Sequence, residues 1–175
     1  MAPALPQENT REGHERMIGN ILITIAAVIG MEIFAIIFHK YWMHGERGWK
    51  WHKSHHVPAH EGSKVGKFEI NDLYGVCFSV IAAALFIAGS LWSPALWYTA
   101  LGFTIYGLLY GFVHDGLVHQ RWPFRYAPKN RYLRRLVHAH RLHHHTTTRE
   151  GAVSFGFLWA QRPEDLKAAL KGEKV

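Results

Sequence analysis

The chain has 175 residues, a length suited to a single domain. Its net charge is +7 and its mean hydropathy is only −0.08, although 49% of its residues are hydrophobic. The single cysteine, Cys77, excludes an intrachain disulfide and any metal site built from several thiolates, and we expect it to be a small packing residue.

The first predicted element is a membrane span at about residues 18–38, preceded by a mobile tail at residues 1–16 that contains prolines and mixed charges. Glu32 is the only charged residue in this apolar run. A helix of this length spans about 31 Å, close to the hydrocarbon thickness of a bilayer. The sequence therefore predicts a helix that crosses a membrane.

Glu32 lies inside that span, where an ionisable side chain is costly and often functional. It could help to orient a ligand. It could instead face a polar partner such as Asn20, Thr99 or Thr104 and fix the helix packing. We favour the packing role.

Two further runs, at about residues 73–92 and 95–113, contain no charged residue and are predicted to be the second and third spans. A soluble bundle with three apolar core helices is the alternative, but long uncharged runs are rare in small soluble domains. A fourth, partial span around residues 152–160 is left open. The predicted fold is an all-α integral membrane protein with three to four transmembrane helices.

The distribution of lysine and arginine predicts the orientation of the spans. Only Arg11 and Arg16 precede the first span, and the connection between the second and third spans is uncharged. The other basic residues lie in the loop 40–72 or after Val113. The positive-inside rule makes these regions cytoplasmic and places the N-terminus on the opposite side of the membrane. Membrane headgroups and an acidic protein are then better partners for the positive charge than nucleic acid.

Ten histidines form four clusters at the ends of the spans that this topology places on one side. Neutral imidazole is the commonest protein ligand for transition metals, and ten ligands are too many for one ion. The clusters therefore predict a dinuclear centre under a cytoplasmic helical cap, whose C-terminal part is residues 114–160. The predicted ligands are His39, His44, His52, His55, His56, His114, His119, His140, His143 and His144.

The spacing within the clusters suggests how the imidazoles converge. Positions i, i+3 and i+4 share a helical face, so each H-x2-H-H triplet can converge on one point. Each H-x4-H pair is about 140° apart on an ideal α-helix, so its members either bind different ions or converge where the helix bulges. Asp115, Asp72 and Glu69 are candidates to orient the imidazoles, although helix capping and surface charge explain them equally well.

The other histidines and the C-terminus have simpler interpretations. His60, His138 and His145 are expected to lie near the metal or on the surface without binding it, and His14 lies in the predicted tail. Residues 163–174 begin with proline and acidic residues and end with lysines, which predicts a surface helix. Iron is the predicted metal, because hydrolytic zinc sites usually have fewer ligands and a glutamate base.

Six segments make the sequence recognisable: HKYWMH at 39–44, WHKSHH at 51–56, EINDLYG at 69–75, HDGLVHQRWPF at 114–124, AHRLHH at 139–144 and EGAVSFGF at 150–157. From the first span to Leu158 the chain resembles the membrane di-iron oxygenases of the fatty acid hydroxylase superfamily, most closely the bacterial-type β-carotene hydroxylases. The histidine boxes alone indicate only the wider group. Residues 114–124 and 153–157 are more specific.

This resemblance implies hydroxylation at C3 and C3′ of the β-ionone rings, from β-carotene through β-cryptoxanthin to zeaxanthin, with ring-ketolated carotenoids leading towards astaxanthin. It also implies two non-haem irons, O2, reduced ferredoxin and a ligand role for all ten histidines, with no catalytic residue beyond them. Aromatic side chains are candidates to line substrate access from the bilayer, or to form an interfacial belt: Phe38, Tyr41, Trp42, Tyr74, Tyr110 and Phe112.

The sequence has three alternative functional interpretations. A fatty-acyl or sterol hydroxylase or desaturase of the same superfamily is the nearest. A membrane haem electron carrier is disfavoured, because its axial histidines would lie within the spans rather than beside them. A metal transporter would need polar residues across the membrane, and the second and third spans offer few of them.

Overall fold

The computed structural model describes residues 6–57, 68–123 and 125–172, and all regular structure in these ranges is helical. The predicted all-α fold is therefore confirmed. The six α-helices and two π-helical segments are, in chain order, α1 (Pro6–Phe38), π1 (His39–Met43), α2 (Trp49–His56), α3 (Asp72–Leu91), α4 (Pro94–Gly111), π2 (Phe112–Val118), α5 (Arg131–His143) and α6 (Pro163–Leu170).

Three helical stretches are long and apolar enough to cross a membrane: Thr10–Met43, Asp72–Leu91 and Pro94–Val118. They agree with the three predicted spans. The predicted tail, however, largely continues the first helix, since α1 begins at Pro6. Ion pairs between residues four apart, Arg11 with Glu15 and Glu12 with Arg16, favour the helix there. Residues 1–5 lie outside the described ranges.

The central helix of the membrane region is α4, which packs against both α1 and α3. Gly102 permits the close approach to α1, because a Cβ at this position would lie only 2.7 Å from the carbonyl oxygen of Thr24. Leu22, Val80 and Leu108, one on each of the three helices, remain exposed on the outside of this bundle. Lipid would cover these apolar faces in a bilayer.

The short connection from α3 to α4 sets where the histidine clusters lie. Ser93 has an extended backbone and Pro94 is the first residue of α4, so the chain reverses direction within a few residues. The start of α3 and the end of α4 therefore lie at the same end of the bundle as the end of α1. All four clusters lie at this end.

A cap formed by α2, α5, α6 and the irregular segment 144–162 covers that end of the bundle. Its apolar core contains Leu136, Ala139, Ala160 and Leu166, which pack with Val113 of π2. The predicted surface helix at 163–174 is α6, which ends earlier, at Leu170, and docks through the buried Leu166. Residues 152–160, where a fourth span was left open, contain no helix in the structure.

Candidate metal centre

Each H-x4-H pair lies on a π-helical segment, which is the bulged alternative left open by the sequence. The backbone N–H of His44 donates to the carbonyl of His39, and that of His119 donates to the carbonyl of His114, both at 3.0 Å. These i to i+5 hydrogen bonds bring each pair onto one side of its helix. The ring centroids are 5.3 Å apart in the first pair and 4.5 Å apart in the second.

Five histidines form a first group, in which one nitrogen of each ring lies within 4.8 Å of the others: His39, His44, His52, His56 and His143. All five are buried. The Nε2 atom of His52 is 3.1 Å from those of His39 and His56, and the Nε2 atoms of His44 and His143 are 3.3 Å apart. The group therefore presents five imidazole nitrogens to one small space.

Four more histidines form a second group, in which one nitrogen of each ring again lies within 4.8 Å of the others: His55, His114, His119 and His140. His144 lies between the two groups, because its Nε2 is 3.0 Å from that of His140 while its ring stacks on His56 of the first group. The helices α2 and α5 each supply ligand candidates to both groups. The structure thus brings nine of the ten predicted histidines together in two adjacent groups, with the tenth, His144, between them, an arrangement suited to a dinuclear centre.

Backbone carbonyls fix the orientation of four of the rings. The Nδ1 atoms of these histidines lie 2.8–3.0 Å from carbonyl oxygens, in the pairs His39 with Phe155, His44 with Arg149, His56 with Thr146 and His143 with Val153. A carbonyl only accepts hydrogen bonds, so Nδ1 must carry the proton in each ring. The lone pair of Nε2 then points into the group, as a metal ligand requires.

Side chains orient three more rings in the same way. The Nδ1 atoms of His52, His55 and His114 lie 2.8, 3.2 and 2.8 Å from oxygens of Asn71, Glu69 and Asp115 respectively. Glu69 and Asp115 were expected in this role, whereas Asn71 was missed. The sequence feature that could have indicated Asn71 is its position two residues after Glu69, within the 69–75 segment that carries the family resemblance.

Asp72, the third carboxylate proposed from the sequence, has different partners. It accepts hydrogen bonds from the guanidinium of Arg121, at 2.7 Å from Nη1, and from the backbone N–H of Glu69. Arg121 also lies 3.5 Å from Asp115 and so connects Asp72 to the carboxylate that orients His114. Sequence reasoning missed Arg121, because a cation is not expected beside cationic metals.

The donor set fits bound metal cations. With Nδ1 protonated, the converging Nε2 atoms face one another through lone pairs, a repulsive arrangement that a cation between them relieves. Within the described residues, the buried Nε2 of His119 has no hydrogen-bond partner. Burial lowers the pKa of His52 to about 2 and that of His56 to about 4, so both are neutral at pH 7, the form that binds metal.

Glu32 has other partners than those expected from the sequence. Its Oε1 accepts hydrogen bonds from the backbone N–H groups of Phe157, Leu158 and Trp159 at 2.9–3.0 Å, and Tyr106 donates to Oε2 at 2.9 Å. The expected partners Thr99 and Thr104 instead donate to carbonyls of their own helix. Their hydroxyls reach those carbonyls within one turn, whereas the N–H groups of the irregular segment need an acceptor. Glu32 fixes packing, as favoured, but between α1 and the 157–159 segment.

A largely apolar cavity of about 790 Å³ lies between α1, α3 and α4 and extends towards the histidines. It runs from Phe86 and Phe103 within the spans to Asn71, Asp115 and Arg121 beside the histidine groups. Phe157 and Tyr110 form part of its wall and stack against His39 and His114 respectively. An apolar molecule in the bilayer could therefore approach the centre without crossing water.

Three of the six aromatic residues proposed for substrate access line this cavity: Phe38, Tyr74 and Tyr110. Tyr41, Trp42 and Phe112 do not line it and are exposed. Their exposure at the ends of the spans matches the alternative interpretation, an interfacial aromatic belt.

Comparison with known proteins identifies one family and several relatives. The sequence pattern of the fatty acid hydroxylase family matches residues 24–161. The chain is 53% identical to the β-carotene hydroxylase of Paracoccus sp. (strain PC1) over 88% of its length and 92% of the relative's. It is 52% identical to that of Pantoea ananas, over 88% of this chain and 85% of the relative. The chloroplastic β-carotene 3-hydroxylase of Haematococcus lacustris is 37% identical over 86% of this chain and 47% of the relative. No solved structure matches.

Proposed function

The chain belongs to the fatty acid hydroxylase family, and on that basis we propose that it hydroxylates C3 and C3′ of the β-ionone rings of β-carotene. The observation that carries the proposal is the position of two imidazole groups at the end of an apolar cavity between membrane-spanning helices. The names of the bacterial relatives support the choice of a carotenoid over a fatty-acyl or sterol substrate.

We assign the ten histidines as ligands of two non-haem iron ions. Iron bound by neutral imidazoles supplies the activation of O2 needed to attack an unactivated C–H bond. The protein contributes the orientation of the rings: backbone carbonyls hold four of them, and Asn71, Glu69 and Asp115 hold three. Because these seven rings are held through Nδ1, seven of the ten proposed ligands are preorganised before metal binds.

The cavity is the proposed site for one ring and the adjoining polyene. Gly75, Ala82 and Gly107 contribute little side-chain volume to its walls, which leaves room for a long apolar molecule. Phe157 and Tyr110, packed against the histidines, keep bulk water from the reacting carbon. Rings that already bear a keto group are proposed to use the same cavity, leading towards astaxanthin.

The stoichiometry of the proposed reaction determines which reactants must reach the site. At each ring one C3–H bond is replaced by C3–OH, with one oxygen atom from O2, while the other oxygen leaves as water. Two electrons and two protons must enter for each hydroxyl group. One ring gives β-cryptoxanthin and the second gives zeaxanthin. Reduced ferredoxin is the proposed electron donor.

The proposed location is the inner membrane of a bacterium, with the metal centre facing the cytoplasm and the N-terminus opposite. The support is the concentration of lysine and arginine in the loop 40–72 and after Val113. Labelling of single cysteines introduced near Arg11 and near Arg131 of a Cys77→Ser variant, in intact cells, tests this orientation.

Expression in bacteria that accumulate β-carotene tests the activity. Pigment chromatography should show β-cryptoxanthin and zeaxanthin with the wild-type protein. The His52→Ala and His143→Ala variants should be inserted normally but leave β-carotene unchanged. Hydroxylated fatty acids or sterols without xanthophylls, from an inserted and iron-containing wild-type protein, would contradict the carotenoid assignment.

A further inference from the structure

The helix α5 has two faces of different chemistry. Its inner face carries the buried ligand candidates His140 and His143. At 3.6 residues per turn, four exposed basic positions fall within about 60° of one another on the opposite face. They form the α5 basic face: Arg134, His138 and Arg141 on the helix, and His145 just after its end.

A hollow of about 540 Å³ lies beside the α5 basic face. All four of its residues line this hollow, together with apolar side chains such as Leu117 and Tyr126, and none of the lining residues is acidic. Within the described ranges, no salt bridge involves Arg134 or Arg141. The hollow thus has an apolar floor and positive charge that no acidic residue in the described part of the chain offsets.

Two residues that line the hollow are close in sequence to predicted ligands. Leu117 forms part of π2, between His114 and His119, and Leu142 directly precedes His143. An α-helix with its side chains is about 10–12 Å across, so a molecule seated on this face lies about one helix diameter from the ligands. The lipid-covered sides of the spans offer no comparable approach from water.

We propose that the α5 basic face is the docking surface for an acidic one-electron carrier protein, and this proposal rests on the hydroxylase function. Two carriers are oxidised by one electron each for every hydroxyl group formed, while O2 accepts these electrons together with the two from the C–H bond. Positive charge around an apolar floor is complementary to a carrier with acidic residues around its redox centre. The short path through α5 connects the two centres.

The test uses the full-length, iron-loaded protein in nanodiscs of zwitterionic lipid, with a plant-type [2Fe–2S] ferredoxin as the probe. The Arg134→Glu variant should weaken ferredoxin binding and lower kcat/KM for ferredoxin, each about tenfold, mainly through KM. Added salt should weaken binding to the wild type more than binding to the variant. The matched control is Lys167→Glu, an exposed charge reversal on α6, which should change neither quantity.

A second measurement separates this proposal from the hydroxylase function. Chemical reduction with dithionite followed by one exposure to O2 should give equal amounts of hydroxylated carotenoid with the wild type and with Arg134→Glu. No product from the wild type would contradict the proposed function itself. Equal ferredoxin binding and kinetics in both proteins would overturn the docking surface. So would a defect of Arg134→Glu limited to membranes with anionic lipid, which would assign the face to headgroups.

Discussion

The Nδ1 atom of His39 lies 3.0 Å from the carbonyl oxygen of Phe155, a residue 116 positions later in the chain. The same irregular segment supplies the carbonyl of Val153 to His143. Glu32 holds the following residues by accepting their backbone N–H groups. A carboxylate inside a membrane span thus acts indirectly on the proposed metal centre, by fixing the segment that orients two of the proposed ligands.

The substitutions Glu32→Gln and Glu32→Ala should therefore differ. Glutamine retains an oxygen that can accept the three N–H groups, so we expect the Gln variant to keep its iron and substantial activity. Alanine leaves these groups without their acceptor, at about 1–3 kcal/mol for each one that remains buried. Elemental analysis and thermal unfolding of both variants check this, and loss of iron from Glu32→Gln would show that the negative charge itself is needed.

Asn71 offers a test of ring orientation that leaves all ten proposed ligands intact. In Asn71→Leu the Nδ1–H of His52 loses its acceptor, so metal affinity should fall about 10- to 100-fold. Asn71→Asp retains an acceptor oxygen at the same position and serves as the control. Competition with a chelator of known affinity measures both variants. Equal affinity in Asn71→Leu and wild type would mean that packing alone orients His52.

Sequence patterns predicted the three spans and the convergence of the histidine clusters at one end of them, because span length, lack of charge and histidine spacing are local properties. They did not predict the grouping, since neither H-x2-H-H triplet lies within one group: His55 and His140 belong to the second group, and His52, His56 and His143 to the first. The backbone conformation of the H-x4-H pairs likewise does not depend on local sequence alone. An α-helix and a π-helical bulge place His39 and His44 differently, and the choice depends on packing at the end of the span. The sequence could therefore state both alternatives without deciding between them.

The groups that orient the ten histidines were harder to predict from the sequence than the histidine clusters themselves. Every residue has a backbone carbonyl, so the sequence does not indicate which carbonyls accept a hydrogen bond from a histidine. The tertiary fold alone gives this role to four residues: Phe155, Val153, Arg149 and Thr146. The helical residues 6–16 were missed for a different reason. Prolines and mixed charges suggested a tail, whereas the charges are spaced to form i to i+4 pairs along a helix.

The metal-free protein should lose stability as the medium is acidified. Burial lowers the pKa of His56 to about 4 in the folded protein, against about 6.5 in an unfolded chain. The unfolded state therefore binds more protons between these values, and the free energy of unfolding falls as pH drops below about 6.5. Thermal melts of chelator-treated protein from pH 8 to pH 4.5 measure this trend.

The His56→Gln variant should show a shallower loss of stability on acidification than the wild type. His14→Gln, at an exposed position on α1, is the matched control and should leave the slope unchanged. A wild-type melting temperature that stays constant from pH 8 to pH 4.5 would contradict the burial of neutral imidazoles in the metal-free protein.

The cavity can be filled from α3 without touching the metal centre. Ala82 lines the cavity, whereas Ala84 is exposed on the same helix and does not line it. We expect Ala82→Phe to reduce hydroxylation of β-carotene at least about tenfold while iron content stays normal, because the added ring occupies space proposed for the polyene. Ala84→Phe places the same ring on the outer surface and should retain wild-type activity. Both variants are compared by pigment chromatography and elemental analysis. If Ala82→Phe hydroxylates β-carotene as fast as Ala84→Phe, the substrate reaches the centre by another route, because a phenylalanine cannot share this space with the polyene.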